Sequence, residues 1–358
     1  MTNKVFILFN NCIPVTGACR TAICDLIKED IHLVSNELFG FFSDNILNVE
    51  EVSPKLNDDD RKFFFEFIHF LEEKQLGFWC DEELVSSFPP LSQEWDYCSS
   101  ITNCIIDFGE NTQIFLKNII GQLEELNCHF LQLRFFDSVQ EDQLICAMDL
   151  IKLSKIKSVE LIVKFDNRKD FLTSLILLMN EYTQLSSIFV HSTLDPDFLT
   201  NRTNDTNIYF FSEVIDDVAH CGNIDPSYFS INIQMFTESK MFNSCLNRKV
   251  SIDRSGQIKN CPSMKDSYGS IANVRLKDVV STDAFKRIWT VGKDKVNICS
   301  QCEFRYVCSD CRAYLEDPSD IYSKPLKCGY NPLTCEWSDW SDNPIKKNAI
   351  EFYSKEAR

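Results

Sequence analysis

"ITNCIIDF" (101–108), "CHFLQLRFF" (128–136), "KSVELIVKF" (157–165) and "SSIFVHS" (186–192) follow one another at a period close to 28 residues. Between them run amphipathic helical patterns, from about Thr112 to Leu126, near 139–153 and near 168–182. Strand then helix, repeated at this length, is the signature of right-handed βαβ units and a parallel sheet. "NIYFFS" (207–212) and "YFSINIQMF" (228–236) read as two more strands. About six βα steps therefore occupy residues 100–240, short of an eightfold barrel and closer to an open one. The expected fold class is α/β, a partial (βα)6-type barrel over 93–240 with a different module on either side.

Residues 1–92 carry the apolar pieces "KVFILF", "RTAICDLI" and "IHLVS", which predict two or three short strands. "NELFGFFSD" and a longer helix in "DDDRKFFFEFIHFLEEKQLGF" follow. Phe63, Phe64, Phe67, Ile68, Phe70 and Leu71 form one broad apolar face of that helix, and Asp58 to Asp60 stand at the positive end of its dipole. The pattern is that of a small winged-helix-like α+β domain. Many such domains bind DNA, but 7 Lys and Arg against 16 Asp and Glu give a net of −9, which opposes phosphate contacts. No nucleic-acid partner is expected. A peptide added as an extra strand on an exposed sheet edge fits better, with Phe65 on the polar side of the helix as a candidate contact.

Compartment decides what the 17 cysteines do. The amino-terminal stretch offers only the five apolar residues Val5 to Phe9 before two asparagines, too short for the core of a signal peptide. No run approaches eighteen apolar residues, so no membrane span is expected. The default is a reducing cytoplasm, where clustered cysteines bind metal more often than they pair. "NRT" at Asn201 and "NDT" at Asn204 are then chance matches to a glycosylation signal.

The tail, 241–340, holds the sharpest pattern: C-x10-G-x4-C from Cys245 through Gly256 to Cys261, C-x2-C-x5-C-x2-C from Cys299 through Cys302 and Cys308 to Cys311, and a closing Cys328. Gly256 in "DRSGQIKNC" permits a positive φ in a hairpin turn that returns Cys261 toward Cys245. A tight C-x2-C turn lets two thiolates reach one metal centre, while five intervening residues make poor zinc-ribbon legs. Residues 245–336 carry 15 Lys and Arg against 11 Asp and Glu, a net of +4 in a chain of −17. Such a surplus compensates thiolates gathered around a four-iron cluster in a poorly solvated pocket. Zinc is the alternative ion, and a short stretch, 341–358, ends the chain.

This pattern resembles the SPASM domain, the carboxy-terminal module that holds two auxiliary four-iron clusters in many radical SAM peptide-modifying enzymes. By position, the resemblance implies that Cys299, Cys302, Cys308 and Cys328 bind one [4Fe-4S] cluster, and that Cys245, Cys261 and Cys311 contribute to the other. The chain departs from the family in having two residues before Cys311 where three are usual, and no cysteine shortly before Cys245. Cys335 and Cys221 are the candidates to complete the first cluster, unless its iron is left open.

"NNCIPVTGACRTAICDL", "CPSMKDSYGSIANV" and "CEFRYVCSDCRAYLEDPSDIYSKPLKCGYNP" extend the likeness over nearly the whole chain, to the SPASM-domain peptide maturases of grasp-with-spasm systems. That resemblance implies a ribosomally made precursor peptide and an ATP-grasp ligase as partners, the ATP chemistry belonging to the ligase. It also implies that the amino-terminal domain recognises the precursor. Lys265, Tyr268, Arg305 and Arg312 are candidate peptide contacts in the tail, with no catalytic role assigned. Two readings remain: a scaffold that presents the precursor to the ligase, or an enzyme whose clusters exchange electrons with a peptide residue.

Radical SAM enzymes hold their catalytic cluster with C-x3-C-x2-C after the first barrel strand. Here "GENTQ" follows "CIIDF" without a cysteine, no C-x3-C occurs anywhere, and Cys12, Cys19 and Cys24 have the wrong spacing. Neither a phosphate loop, a G-x-S-x-G elbow nor an H-E-x2-H pair is present, and His32, His69, His129, His191 and His220 are scattered. No binding of S-adenosylmethionine is expected. Dithionite-reduced, metal-loaded protein should therefore yield no 5′-deoxyadenosine from it, measured by chromatography; turnover above a cysteine-to-serine control would refute this.

Overall fold

The computed structural model describes residues 4–201 and 206–356, and both sequons run into the residues left out. The amino-terminal part holds β1 (Lys4–Leu8), β2 (Cys12–Thr16), β3 (Arg20–Asp25), β4 (Asp30–Ser35), β5 (Ile46–Leu47), α1 (Asp58–Glu73) and β6 (Gly77–Asp81). They form two antiparallel sheets, ordered β5-β1-β6 and β2-β3-β4. That is six strands where the apolar runs suggested two or three. The others were hidden because β5 spans only two residues and β2 contains Pro14.

Helix α1 starts where Asn57 accepts a hydrogen bond from the Asp60 N–H at 2.9 Å. Phe64, Phe67, Ile68 and Leu71, at i, i+3, i+4 and i+7, are buried against Phe6, Ile23, Val34 and Leu47. Phe63 was expected on that face but is 61% exposed, because one residue turns the helix by about 100°. Phe70 is half-buried on the flank, edge-on to His32.

The central part contains β7 (Asn103–Asp107), α2 (Glu110–Glu125), β8 (Phe130–Arg134), α3 (Glu141–Lys152), β9 (Ser158–Lys164), α4 (Phe171–Glu181), β10 (Leu185–His191) and β11 (Ile208–Phe210). After α5 (Ile233–Met241) come β12 (Lys249–Ile252) and β13 (Ile258–Lys259). One seven-stranded sheet results, ordered β11-β10-β9-β8-β7-β12-β13, parallel throughout except for the β12–β13 hairpin. The fold is thus α/β with an open strand order.

Two expectations are corrected. Residues 228–236 are not a strand: a 3-10 turn at Pro226–Tyr228 leads into α5, whose first turn is capped by Asn232 accepting from the Met235 N–H at 2.9 Å. The alternation in "SINIQ" mimicked a strand period across a helix start. The sixth parallel strand is instead β12, paired with β7 and followed by the hairpin of the cysteine-rich tail. The helix expected from about Thr112 begins earlier, at Glu110. Gly109 caps α2, its N–H donating to Thr112 Oγ1 at 2.8 Å, so "ENTQ" is the first helical turn.

The β2-β3-β4 sheet lies between two cores. Ile23 faces α1, while its neighbours Ala22 and Cys24 pack with Ile13 and Val15 of β2 and with Phe304, Val307 and Tyr330 of the tail. Among the described residues no helix is long and apolar enough to cross a membrane. In urea unfolding, Phe64→Ala should cost about 3–5 kcal/mol and Phe63→Ala less than about 0.5 kcal/mol. Equal costs would contradict the observed face of α1.

Candidate metal centre

Eight cysteines converge in two groups. In the first, Cys245 precedes β12 and Cys261 follows β13, joined by a turn in which Gly256 takes φ +79° and donates to the Asp253 carbonyl at 2.8 Å. Cys311 and Cys221 complete the group. Cys221 sits on a loop that Lys327 holds by donating to the Cys221 carbonyl at 2.8 Å and to the Ala219 carbonyl. Gly222, at φ +88°, is required twice over: its backbone is left-handed, and a Cβ there would stand 2.8 Å from Cys311 Sγ.

The second group is Cys299, Cys302, Cys308 and Cys328. A tight turn, with the Cys302 N–H on the Cys299 carbonyl at 3.0 Å, presents the first two side by side. Ile224 donates to the Lys327 carbonyl at 3.1 Å, tying the Cys221 loop to the segment that carries Cys328. The second C-x2-C is divided: Cys308 belongs to one group and Cys311 to the other.

Asp310, between these two cysteines, is buried and accepts from Lys293 at 3.2 Å, Arg312 at 2.8 Å and Asn243 at 2.5 Å. Two lysines touch sulfur directly. Lys249 Nζ lies 3.4 Å from Cys245 Sγ, and Lys293 Nζ lies 3.6 Å from Cys308 Sγ.

Burial, followed by the nearness of Cys221 and Cys245, pushes the Cys261 thiol up to about 11. Burial with Cys245 and Cys261 pushes Cys311 up to about 12. Burial raises Cys308 to about 12 against the opposing pull of Lys293, and it raises Cys302 and Cys299 as well. These buried thiols resist ionising, and a multivalent cation among them reverses that preference. Loading metal therefore releases protons, and retention weakens as pH falls.

Among the described residues, Asp216, Asp217 and His220 also bring possible ligand atoms together, but they are exposed or half-exposed and include no cysteine.

Cys335, the other candidate for the first group, lies elsewhere, beside Cys19 and Tyr330. Arg312 is corrected as a peptide contact: it is buried, donating to the carbonyls of Ile321 and Ser323 and to Asp310. Arg305 is engaged by Asp294 at 3.1 Å, and Tyr268 packs edge-on against Phe285. Lys265 stands over the Phe352 ring and borders a cavity of about 940 Å³ beside the first group. Pro262, Tyr314, Lys327, Trp340 and Tyr353 also line it.

At the carboxyl ends of β7 and β8, Asp107 and Arg134 form a buried two-pronged ion pair at 2.6 and 2.9 Å. The following Phe108 and Phe135 stack with centroids 4.2 Å apart. Gly222, Lys249, Lys293 and Asp310 escaped the sequence reading, which named Cys221 only as one of two candidates. Their spacings repeat no motif, and the glycine after Cys221 was the sole local signal.

No family model matches the chain, and no curated protein matches it. Among solved structures, the crystal structures of Streptococcus suis SuiB, alone and bound to S-adenosylmethionine, align with 91% of this chain and 98% of theirs. Identity is 10% and the TM-score 0.34, too remote for anything about ligands or chemistry to transfer.

After anaerobic reconstitution, Cys335→Ser should keep the full metal complement, while Cys221→Ser and Gly222→Ala should each lose roughly half of it. Metal analysis showing the reverse would move the fourth ligand of the first group to Cys335.

Proposed function

We propose that the chain is a SPASM-type iron–sulfur protein that binds a ribosomally made precursor peptide and works beside an ATP-grasp ligase in maturing it. The observation that carries this reading is the convergence of eight cysteines in two groups of four. Cys299, Cys302, Cys308 and Cys328 would hold one [4Fe-4S] cluster, and Cys221, Cys245, Cys261 and Cys311 the other. Such clusters supply one-electron transfer when bound. The chain's own residues fold the tail around them, neutralise them with Lys249 and Lys293, and exclude water with Phe285, Phe304 and Tyr314. The ligase and precursor rest on the likeness of the tail and amino-terminal motifs to grasp-with-spasm maturases.

With four thiols in each group, an open iron is no longer called for, and this favours a binding and electron-holding role. The edge strand β4, with Leu33 41% exposed, is the place for the precursor to add as a fourth strand. The enzyme reading keeps one specific support, the 940 Å³ cavity beside exposed Cys221, which has room for a peptide side chain near the first group.

Iron, sulfide and zinc counts after anaerobic purification test the metal: iron and sulfide in near-equal amounts are expected, with Cys302→Ser or Cys308→Ser losing roughly half. Stoichiometric zinc without sulfide would sink the reading. Fluorescence anisotropy tests the partner. Precursor binding should persist as salt rises, while random duplex DNA binds little, because strand addition relies on backbone hydrogen bonds and the module is acidic.

A further inference from the structure

Among the cysteines outside the two groups, Cys12 and Cys24 lie near one another, as do Cys104 and Cys128, but all four are buried. Cys19 and Cys335 differ. Cys19 is exposed and Cys335 half-buried, their thiols are within hydrogen-bonding reach of each other, and more than three hundred residues of chain separate them. Cys19 sits in the turn between β2 and β3, and its thiol donates to the Leu333 carbonyl at 2.8 Å. Cys335 comes two residues later, in the turn that joins two short paired strands, Tyr330–Asn331 and Glu336–Trp337. The Tyr330 hydroxyl is in contact with Cys335 and accepts from Arg20 at 3.0 Å, so the residue after Cys19 and the strand before Cys335 share one network.

Further contacts hold the β2–β3 turn on the tail. The Ala18 N–H donates to the Gln301 carbonyl at 2.8 Å, and Arg305 donates to the Thr16 carbonyl at 2.9 Å. Gly17 is pressed so closely on the tail that a Cβ there would stand 2.9 Å from the Glu303 nitrogen. Cys335 takes φ +60°, a left-handed conformation that favours glycine or asparagine. A thiol thus stands where backbone conformation alone asks for another residue, and it meets an exposed thiol across the boundary between the amino-terminal part and the tail. Two thiols held together by the fold meet at an effective concentration far above that of a thiol in solution.

We propose that Cys19 and Cys335 form a reversible disulfide that fastens the β2-β3-β4 sheet to the tail when the surrounding thiol pool is oxidising. A small disulfide such as oxidised glutathione is the oxidant. The Cys19 thiolate attacks one of its sulfurs, releasing one small thiolate and leaving a mixed disulfide; the Cys335 thiolate then attacks the Cys19 sulfur and releases the second. Two protein thiols are oxidised, the small disulfide is reduced to two thiols, and the two protons pass to the departing thiolates. Loss of water, then the nearby Cys335 and Glu303, hold the Cys19 proton above the ordinary thiol value, with Arg20 opposing, so the exchange is slow near neutral pH. The bond does not depend on what fills the two cysteine groups. It holds the sheet that carries edge strand β4 against the segment that bears Cys302.

The test equilibrates the full-length, anaerobically purified protein in glutathione buffers of graded ratio at fixed pH, blocks the remaining thiols and maps its peptides without reduction. Iron, sulfide and zinc are counted in each sample. A peptide pair linked through Cys19 and Cys335 is expected at the oxidising end and is lost when reduced glutathione is in excess, with metal content unchanged. Amide exchange across residues 13–20 should slow several-fold as the linked form accumulates. In Cys335→Ser, Cys19 should carry glutathione instead, and exchange should stay fast. Free Cys19 and Cys335 throughout, glutathione on either without a link in the wild type, or a link that appears only as metal is lost would each overturn the proposal. So would a link that forms to the same extent in urea-unfolded protein, since it would then owe nothing to the folded contact.

Discussion

A carboxylate with no access to water fixes the geometry of the tail. Asp310 is held by Lys293, Arg312 and Asn243, and its neighbours Cys308 and Cys311 are sent to different groups. Removing a single partner from such a node leaves a charge stranded in a poor solvent, which costs several kcal/mol, about 3–5 in comparable buried pairs. The node spans widely separated segments, since Asn243 lies just beyond α5 and Lys293 in a 3-10 turn. Ser244 adds a further tie by accepting from the Asp310 N–H at 2.9 Å and donating to the Cys308 carbonyl at 3.1 Å. The position of either cysteine group therefore depends on the other.

The parts of this arrangement that repeat locally were legible in the sequence. Strands β7 to β11 and helices α2 to α4 fall within a few residues of the runs that announced them, because their apolar periodicity is set by the same buried faces that form the core. The hairpin at Gly256 was legible for the same reason: a left-handed backbone position there calls for glycine. Strand β12 was not, since four residues paired with β7 across nearly 150 positions leave no local mark. Residues 228–236 misled because an Asn-capped helix start and a short strand share the same alternation.

In the candidate site, the seven cysteines of the spaced pattern could be named from sequence, while the nearness of Cys221, and not Cys335, to the first group could not. That nearness comes from the way Lys327 holds the Cys221 loop on the segment before Cys328, a contact across more than a hundred residues. Lys249 and Lys293 were equally invisible. A lysine four residues after a cysteine has no special frequency, and only the folded chain shows its ammonium turned inward to sulfur.

The two-faced β2-β3-β4 sheet carries a consequence for biosynthesis. Ile23 can be covered early by α1, but Ile13, Val15, Ala22 and Cys24 wait for Phe304, Val307 and Tyr330, some 280 residues downstream. At ribosomal speeds of about 5–20 residues per second, that face stays uncovered for on the order of half a minute. Contacts so distant along the chain also fold slowly, because loop closure must precede any gain from burial. The nascent chain thus leaves the ribosome with one side of its first sheet unfinished, and completing it is tied to the arrival of the last cysteines.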